Sequence, residues 1–208
     1  MASINKLSIR GIRSFSHERA LLLSMLSQII EFYAPLTMIV GANGCGKTTI
    51  IECLKYACTG SLPPGARNGQ SFVHDPKASR LSQIKANIKL RFAGRDGRMS
   101  VVIRSFQLTQ KKVTLQFKAL DGVIRTRDDN GASVSITHKC TELDKHIPQR
   151  LGVSKAILEN VVFCHQEDAS WPLQEGAVVK KKFDDIFESS RYTKALDTIK
   201  KTKQEDAG

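Results

Sequence analysis

Gly41-Ala42-Asn43-Gly44-Cys45-Gly46-Lys47-Thr48 fits the pattern G-x-x-x-x-G-K-[ST] at every fixed position. Each residue type has a chemical reason. Glycines let the backbone curl tightly enough for successive N–H groups to face phosphate oxygens, the lysine reaches the β- and γ-phosphates, and the Thr48 hydroxyl ligates Mg²⁺. A helix that starts at the loop adds its positive end. Cys45 is the unusual member: a side chain there must pack closely against the loop, which a small thiol can do. The stretch predicts binding of a nucleoside triphosphate, ATP with Mg²⁺.

The flanks predict a strand leading in and a helix leading out. Residues 36–40 (Leu-Thr-Met-Ile-Val) form a short apolar run that ends at a glycine, as buried strands do. Residues 48–58 carry Ile50, Ile51, Leu54 and Ala57 at helical spacing, and Gly60 is placed to stop that helix. Upstream, residues 7–12 alternate apolar and polar like a strand. Downstream of a Pro/Gly-rich loop, residues 84–92, 99–108, 113–120 and 133–138 favour strands. Asp96-Gly97, Asp121-Gly122 and Asn130-Gly131 read as the hairpin turns between them, because such pairs supply positive φ angles. This predicts an antiparallel meander in a second sheet beside the nucleotide-binding one.

Helical character returns at residues 141–151 and 154–160. From Lys180 onward the chain is charged and helical, with Phe183, Ile186, Phe187, Tyr192, Leu196 and Ile199 in one apolar stripe, like the first turns of a coiled coil.

Composition bounds the class. The 208 residues are 41% hydrophobic and 25% charged, ordinary for a globular chain with a substantial core. Lys and Arg number 32 against 20 Asp and Glu, a net +12 that favours polyanions. The five cysteines (Cys45, Cys53, Cys58, Cys140, Cys164) are odd in number and contain no C-x-x-C pair, which argues against a disulfide framework or zinc site and for a reducing compartment. Lys6 and Arg10 interrupt any secretory leader. The most apolar run, residues 20–30, falls well short of the roughly 20 residues that span a bilayer, so no membrane is expected.

Hydrolysis of ATP also needs a carboxylate after an apolar strand, to hold Mg²⁺ and polarise water. Val161-Val162-Phe163-Cys164-His165-Gln166-Glu167-Asp168 fits poorly, since His and Gln stand between the apolar run and the acids. Asp184-Asp185 has no apolar strand before it. No glycine-rich signature loop is present either, so no catalytic residue is assigned.

Taken together, residues 11–15 (Gly-Ile-Arg-Ser-Phe), 35–49, 72–76 (Phe-Val-His-Asp-Pro), 103–110 (Ile-Arg-Ser-Phe-Gln-Leu-Thr-Gln), 152–160 and 181–193 resemble the SMC-like ATPase subunit of the DNA double-strand-break repair nuclease complex. The resemblance implies an α/β, P-loop ABC-type ATPase half-head with an antiparallel β subdomain and the start of a coiled-coil helix. The half-head lobe would span residues 1–178 (β region about 84–138, Q-loop about 164–168) and the coil residues 179–208. In that family the head is assembled from the two ends of a long chain joined by a coiled coil tipped with a zinc hook. The carboxylate and the signature loop are therefore expected in a C-terminal lobe, and the hook outside this chain.

The resemblance also assigns a nucleotide set: Arg13, Asn43, Gly44, Cys45, Gly46, Lys47, Thr48, Thr49, Val73, Asp75 and Gln166, with Thr48 and Gln166 completing the Mg²⁺ shell. Without it, Gln166 is a solvated loop side chain, Arg13 a surface residue at a strand end, and Val73 and Asp75 parts of an ordinary His-Asp-Pro turn. The implied partners are the nuclease subunit, double-stranded DNA, the C-terminal lobe and a second head in an ATP-dependent dimer; the implied location is the nucleus, on chromosomes. DNA contact is expected through the backbone, from a helix that carries eight basic and four acidic residues between Lys180 and Lys203.

One departure stands out. Between Phe15 and Pro35 the family has a shorter segment, filled here by the apolar residues 20–30. An extended hairpin or an aberrant transcript both account for it, and the register of the first strands decides whether Arg13 reaches the nucleotide. The chain alone is expected to bind ATP without efficient turnover. The alternatives are a short, non-enzymatic interaction or competitor form of the same protein, and a self-sufficient P-loop kinase. A kinase would need an acceptor site and an arginine-bearing lid, which an antiparallel meander does not supply.

Overall fold

The computed structural model describes residues 2–15, 29–79, 81–111, 114–127, 133–163, 170–187 and 189–205. The chain divides into two compact units, Met1–Lys155 and Ala156–Gly208.

In the first unit, strands β1 (Ser3–Arg10), β2 (Ile29–Glu31), β3 (Gln83–Ala93), β4 (Met99–Lys111), β5 (Thr114–Arg127) and β6 (Ser133–His138) make one antiparallel sheet in the order β2-β1-β3-β4-β5-β6. The meander is therefore not a second sheet: β1 pairs directly with β3, with Leu7 opposite Leu90 and Ile9 opposite Ile88. Period-two alternation explains why. Leu7, Ile9, Ile84, Ile88, Leu90, Phe92, Val102, Phe106 and Leu108 all point to one face and are essentially fully buried.

Helix α1 (Lys47–Thr59) packs its apolar stripe on that face through Ile50, Cys53, Leu54 and Ala57. Tyr56 reaches the Phe106 ring edge-on at 5.0 Å and the Phe72 ring at 5.8 Å. Gly60 ends the helix in the left-handed region (φ 75°), its N–H donating to Tyr56 O. Helix α2 (Cys140–Leu151) covers the neighbouring part of the core with Leu143, Ile147 and Leu151.

Two sequence expectations fail here, each for a physical reason. Residues 36–40 are not a buried strand. Leu36, Met38 and Val40 are 73%, 76% and 84% exposed, and no described strand pairs with them. Apolar content selects a buried strand only where neighbours exist on both edges, and β1 takes β2 but nothing takes the run beyond it. Instead Thr37 Oγ1 accepts the Tyr33 N–H and donates to the Tyr33 carbonyl, closing a local loop.

Asp121-Gly122 is not a hairpin turn either. Strand β5 runs straight through it, and the pair forms a bulge, two residues opposite Arg104 alone. A Cβ at Gly122 would collide with Leu143 of α2, so the glycine serves close packing. Asp96-Gly97 does turn the β3–β4 hairpin, with Gly97 at φ 75°. Asn130-Gly131 lies outside the described residues, as do Ala20 to Gln28.

The second unit begins within a short helix, α3 (Lys155–Ile157), which widens into a π-helical turn over Leu158–Val162. Trp171 is buried, its Nε1 donating to Asn160 O, and its ring meets Phe183 edge-on at 5.5 Å. The charged C-terminal stretch is two helices rather than one: α4 (Gly176–Ile186) and α5 (Ser189–Glu205). Their apolar stripe is uncovered, with Phe187, Tyr192, Leu196 and Ile199 between 57% and 72% exposed. Among the described residues no helix is long and apolar enough to cross a membrane.

Candidate functional site: the phosphate loop and its side cavity

Residues 41–46 form an exposed loop that enters α1 at Lys47. Gly44 and Gly46 lie at φ 84° and 88°, a region that costs any other residue steric strain. At Gly46 a Cβ would also press to 3.0 Å from the Phe15 ring. The first turn of α1 carries no acidic residue and no side chain caps it. Helix geometry leaves its leading N–H groups without intrahelical acceptors, and the macrodipole makes that end positive. The residues present therefore fit an anionic phosphate chain. Lys47 Nζ donates to the carbonyls of Gly41 (2.7 Å) and Ala42 (2.8 Å), which folds the side chain back across the loop. Thr48 is exposed on the leading turn, where its hydroxyl fits a Mg²⁺ ligand; Thr49 behind it is buried.

Arg13 joins this turn from the end of β1. Its backbone is left-handed (φ 44°), held by donation of its N–H to Phe72 O (3.1 Å) and of His74 Nδ1 to its carbonyl (2.5 Å). Its Nη1 lies 2.7 Å from Glu52 Oε2 and donates to Thr49 Oγ1 at 3.4 Å. An isolated bridge between Ile12 and Val73 brings the 67–75 loop alongside. The result is an open cavity of about 460 Å³ lined by Arg13, Arg67, Gln70, Val73, Asp75 and Leu115, among others. Two cations, one carboxylate and an apolar wall suit a sugar and base attached to phosphates held at the loop. Asp75 Oδ1 accepts the Lys77 N–H, which shapes the turn, and Gln70 Nε2 donates to Leu115 O, which ties the loop to β5.

The expected site residues thus divide. Asn43, Gly44, Cys45, Gly46, Lys47 and Thr48 lie on the loop and its helix start. Arg13 contacts Thr49 and shares the cavity with Val73 and Asp75. Strands β1 and β2 pair with Leu7 opposite Ile30, and Arg13 lies against α1 at Thr49 and Glu52. Gln166 lies outside the described residues. Of the rejected carboxylate candidates, Glu167 and Asp168 lie outside the described residues; Val161 and Val162 before them sit on the π turn, more than half exposed, and Asp184 accepts the Ser189 hydroxyl at 2.7 Å.

Sequence reasoning missed Glu52, Arg67, Gln70 and Leu115. Only Glu52 left a signal, as a lone acid on the otherwise apolar face of α1.

A glycine-rich loop opening a helix packed on a sheet, with a polar cavity beside it, defines a P-loop nucleotide-binding protein. The family model described as "AAA domain" matches residues 6–206. Curated relatives include the DNA repair protein RAD50 of Arabidopsis thaliana, 51% identical over all of this chain, and that of Saccharomyces cerevisiae, 50% identical over 99% of it. The RAD50 of Dictyostelium discoideum is 48% identical over 99%. This chain spans about 15% of the length of each. A solved structure from work on ATP-driven dimerization and DNA-stimulated activation of SMC ATPases superposes with a TM-score of 0.53, covering 88% of this chain and 98% of that one at 18% identity, and so shares the fold. The chain belongs to the AAA-domain family, in its Rad50 group of SMC-like ABC ATPases.

Proposed function

We propose that this chain is the N-terminal, nucleotide-binding lobe of a DNA double-strand-break repair ATPase, able to bind ATP with Mg²⁺ but not to turn it over efficiently alone. The observation that carries this is the loop at the start of α1 with Arg13 laid beside it: donors for a phosphate chain and, next to them, a cavity for a nucleoside. Lys47 would exchange the Gly41 and Ala42 carbonyls for the β- and γ-phosphates, a trade of neutral acceptors for charged ones. Thr48, with Gln166, would hold Mg²⁺, which neutralises phosphate charge when bound. Asn43, Gly44, Cys45, Gly46 and Thr49 would complete the pocket, with Val73 and Asp75 bordering the nucleoside.

Hydrolysis needs a carboxylate that orients the attacking water, and no described acid follows a strand toward the loop. The C-terminal lobe would supply it. The exposed run 36–40 supports such a partner: Leu36, Met38 and Val40 carry the apolar pattern of a buried strand but stand uncovered, open to strands from elsewhere. A second head, the nuclease subunit at the apolar stripe of α4 and α5, and duplex DNA on basic surfaces complete the proposed assembly, with the nucleus as its place.

Turnover assays decide between this reading and a self-sufficient enzyme. The 208-residue chain is expected to bind MgATP with negligible phosphate release, and release is expected to appear on adding the C-terminal lobe. Appreciable ATPase by the chain alone, lost on Lys47→Ala, would overturn it.

A further inference from the structure

Glu52 is 6% exposed, on the face of α1 that turns inward one turn after Thr49. A carboxylate in that position is unfavourable unless it is paired. Its Oε2 lies 2.7 Å from Arg13 Nη1, while Arg13 lines the proposed nucleoside cavity with Val73 and Asp75. Arg13 is thus fixed twice. Phe72 O and His74 Nδ1 hold its left-handed backbone, and Glu52 holds the tip of its side chain beside Thr49.

We propose that Glu52 is a positioning residue: it has no contact with nucleotide of its own, but it sets the Arg13 guanidinium in advance at the point where the phosphates leave the loop. This rests on Arg13 serving the nucleotide, as proposed above. An arginine carries several rotatable bonds, and fixing them before binding removes that entropic cost from the binding step. Phe72 alone does not fix it, since the guanidinium carbon stands 5.9 Å from the ring centroid.

The sign of the effect separates this role from the others Glu52 could have. A buried negative charge repels phosphate, so if charge were its whole influence, Glu52→Gln would tighten binding. If Glu52 only stabilised the fold, Glu52→Gln would act equally with and without Arg13. A positioning residue weakens binding when lost, and only while Arg13 is present.

The experiment is a double-mutant cycle on MgATP affinity in the 208-residue chain, by calorimetry, with the melting midpoint of each variant as a control. Arg13→Ala is expected to weaken MgATP about tenfold or more, and Glu52→Gln about fivefold. The double variant is expected to bind no worse than Arg13→Ala. Unchanged or tighter binding by Glu52→Gln overturns the inference, as does a fivefold loss that persists in the Arg13→Ala background. If Glu52→Gln does not fold, Glu52→Asp, which keeps the charge but shortens the arm, completes the cycle with the same expected split. Two further results fall on the underlying readings instead. Wild-type binding that is insensitive to Arg13→Ala removes the role given to Arg13, and no saturable binding by the wild type removes the nucleotide site.

Discussion

Cys45 lies on the exposed phosphate loop between two glycines, while Cys53 and Cys58 are buried in α1 against the sheet. Burial pushes the Cys58 thiol up to about 12 and the Cys53 thiol higher still, so neither forms thiolate at neutral pH. Cys140 is half-buried, its thiol donating to Leu120 O, and desolvation raises it too. A maleimide probe at pH 7 is therefore expected to label Cys45 ahead of these three, and saturating MgATP to slow that labelling about tenfold or more by covering the loop. Peptide mapping, with Cys45→Ser as the blank, checks this. Labelling of Cys45 unaffected by MgATP would place the nucleotide elsewhere. At this scale the sequence is informative where chemistry demands a fixed spacing. The loop is legible from Gly41 to Thr48 because each fixed position permits a single residue type, or at the last only Ser or Thr. Glu52 is less so: it stands as a lone acid on an apolar helix face, but an acid in a helix pattern ordinarily faces solvent, and its pairing shows only with Arg13 standing opposite.

The elements were legible wherever the pattern concerned burial on one face. Strands β3, β4 and β6, helix α1 and the Gly60 stop all fall close to their sequence expectation. What failed depends on neighbours. A bulge and a turn both use Asp-Gly, and only the partner strand distinguishes them; at Asp121-Gly122 the partner is Arg104. That bulge has a structural consequence. Arg104 is 2% exposed, with Nη1 2.8 Å from Asp144 Oδ1 on α2, Nε donating to Ala57 O on α1, and its guanidinium 5.3 Å over the Tyr56 ring. One side chain thus joins β4, α1 and α2. Removing it strands a partly buried carboxylate, so Arg104→Ala is expected to destabilise the chain by about 3–5 kcal/mol, measured by urea denaturation. A loss below about 1 kcal/mol, the scale of an exposed pair, would show that the clamp is not formed. The helix α4–α5 break near Phe187 was hidden because the apolar stripe continues across it.

For the whole molecule, the excess of basic charge was visible in the sequence, and its arrangement was not. The net charge of +12 is general, but the sheet places Lys6, Lys89, Arg91 and Arg125 together around one shallow cavity on its outer face, away from α1. Alternation at period two, as in Lys85, Lys89 and Arg91 on β3, was the signal for it. If the chain contacts duplex DNA through such surfaces, affinity for a short duplex should be independent of its sequence. It should also fall at least about tenfold between ~50 and ~200 mM salt. Gel-shift titrations at two salt concentrations with two unrelated duplexes measure this, and salt-independent or sequence-selective binding would contradict it. The chain spans about 15% of the length of its relatives, and the apolar run 36–40 stands exposed. The central claim is that the loop at α1 holds a nucleoside triphosphate, and calorimetric titration of MgATP into the wild-type chain and Lys47→Ala tests it most directly. Saturable one-site binding, weakened by a factor of about ten or more in Lys47→Ala, is the predicted result. Equal binding by both chains, or none by the wild type, would contradict it.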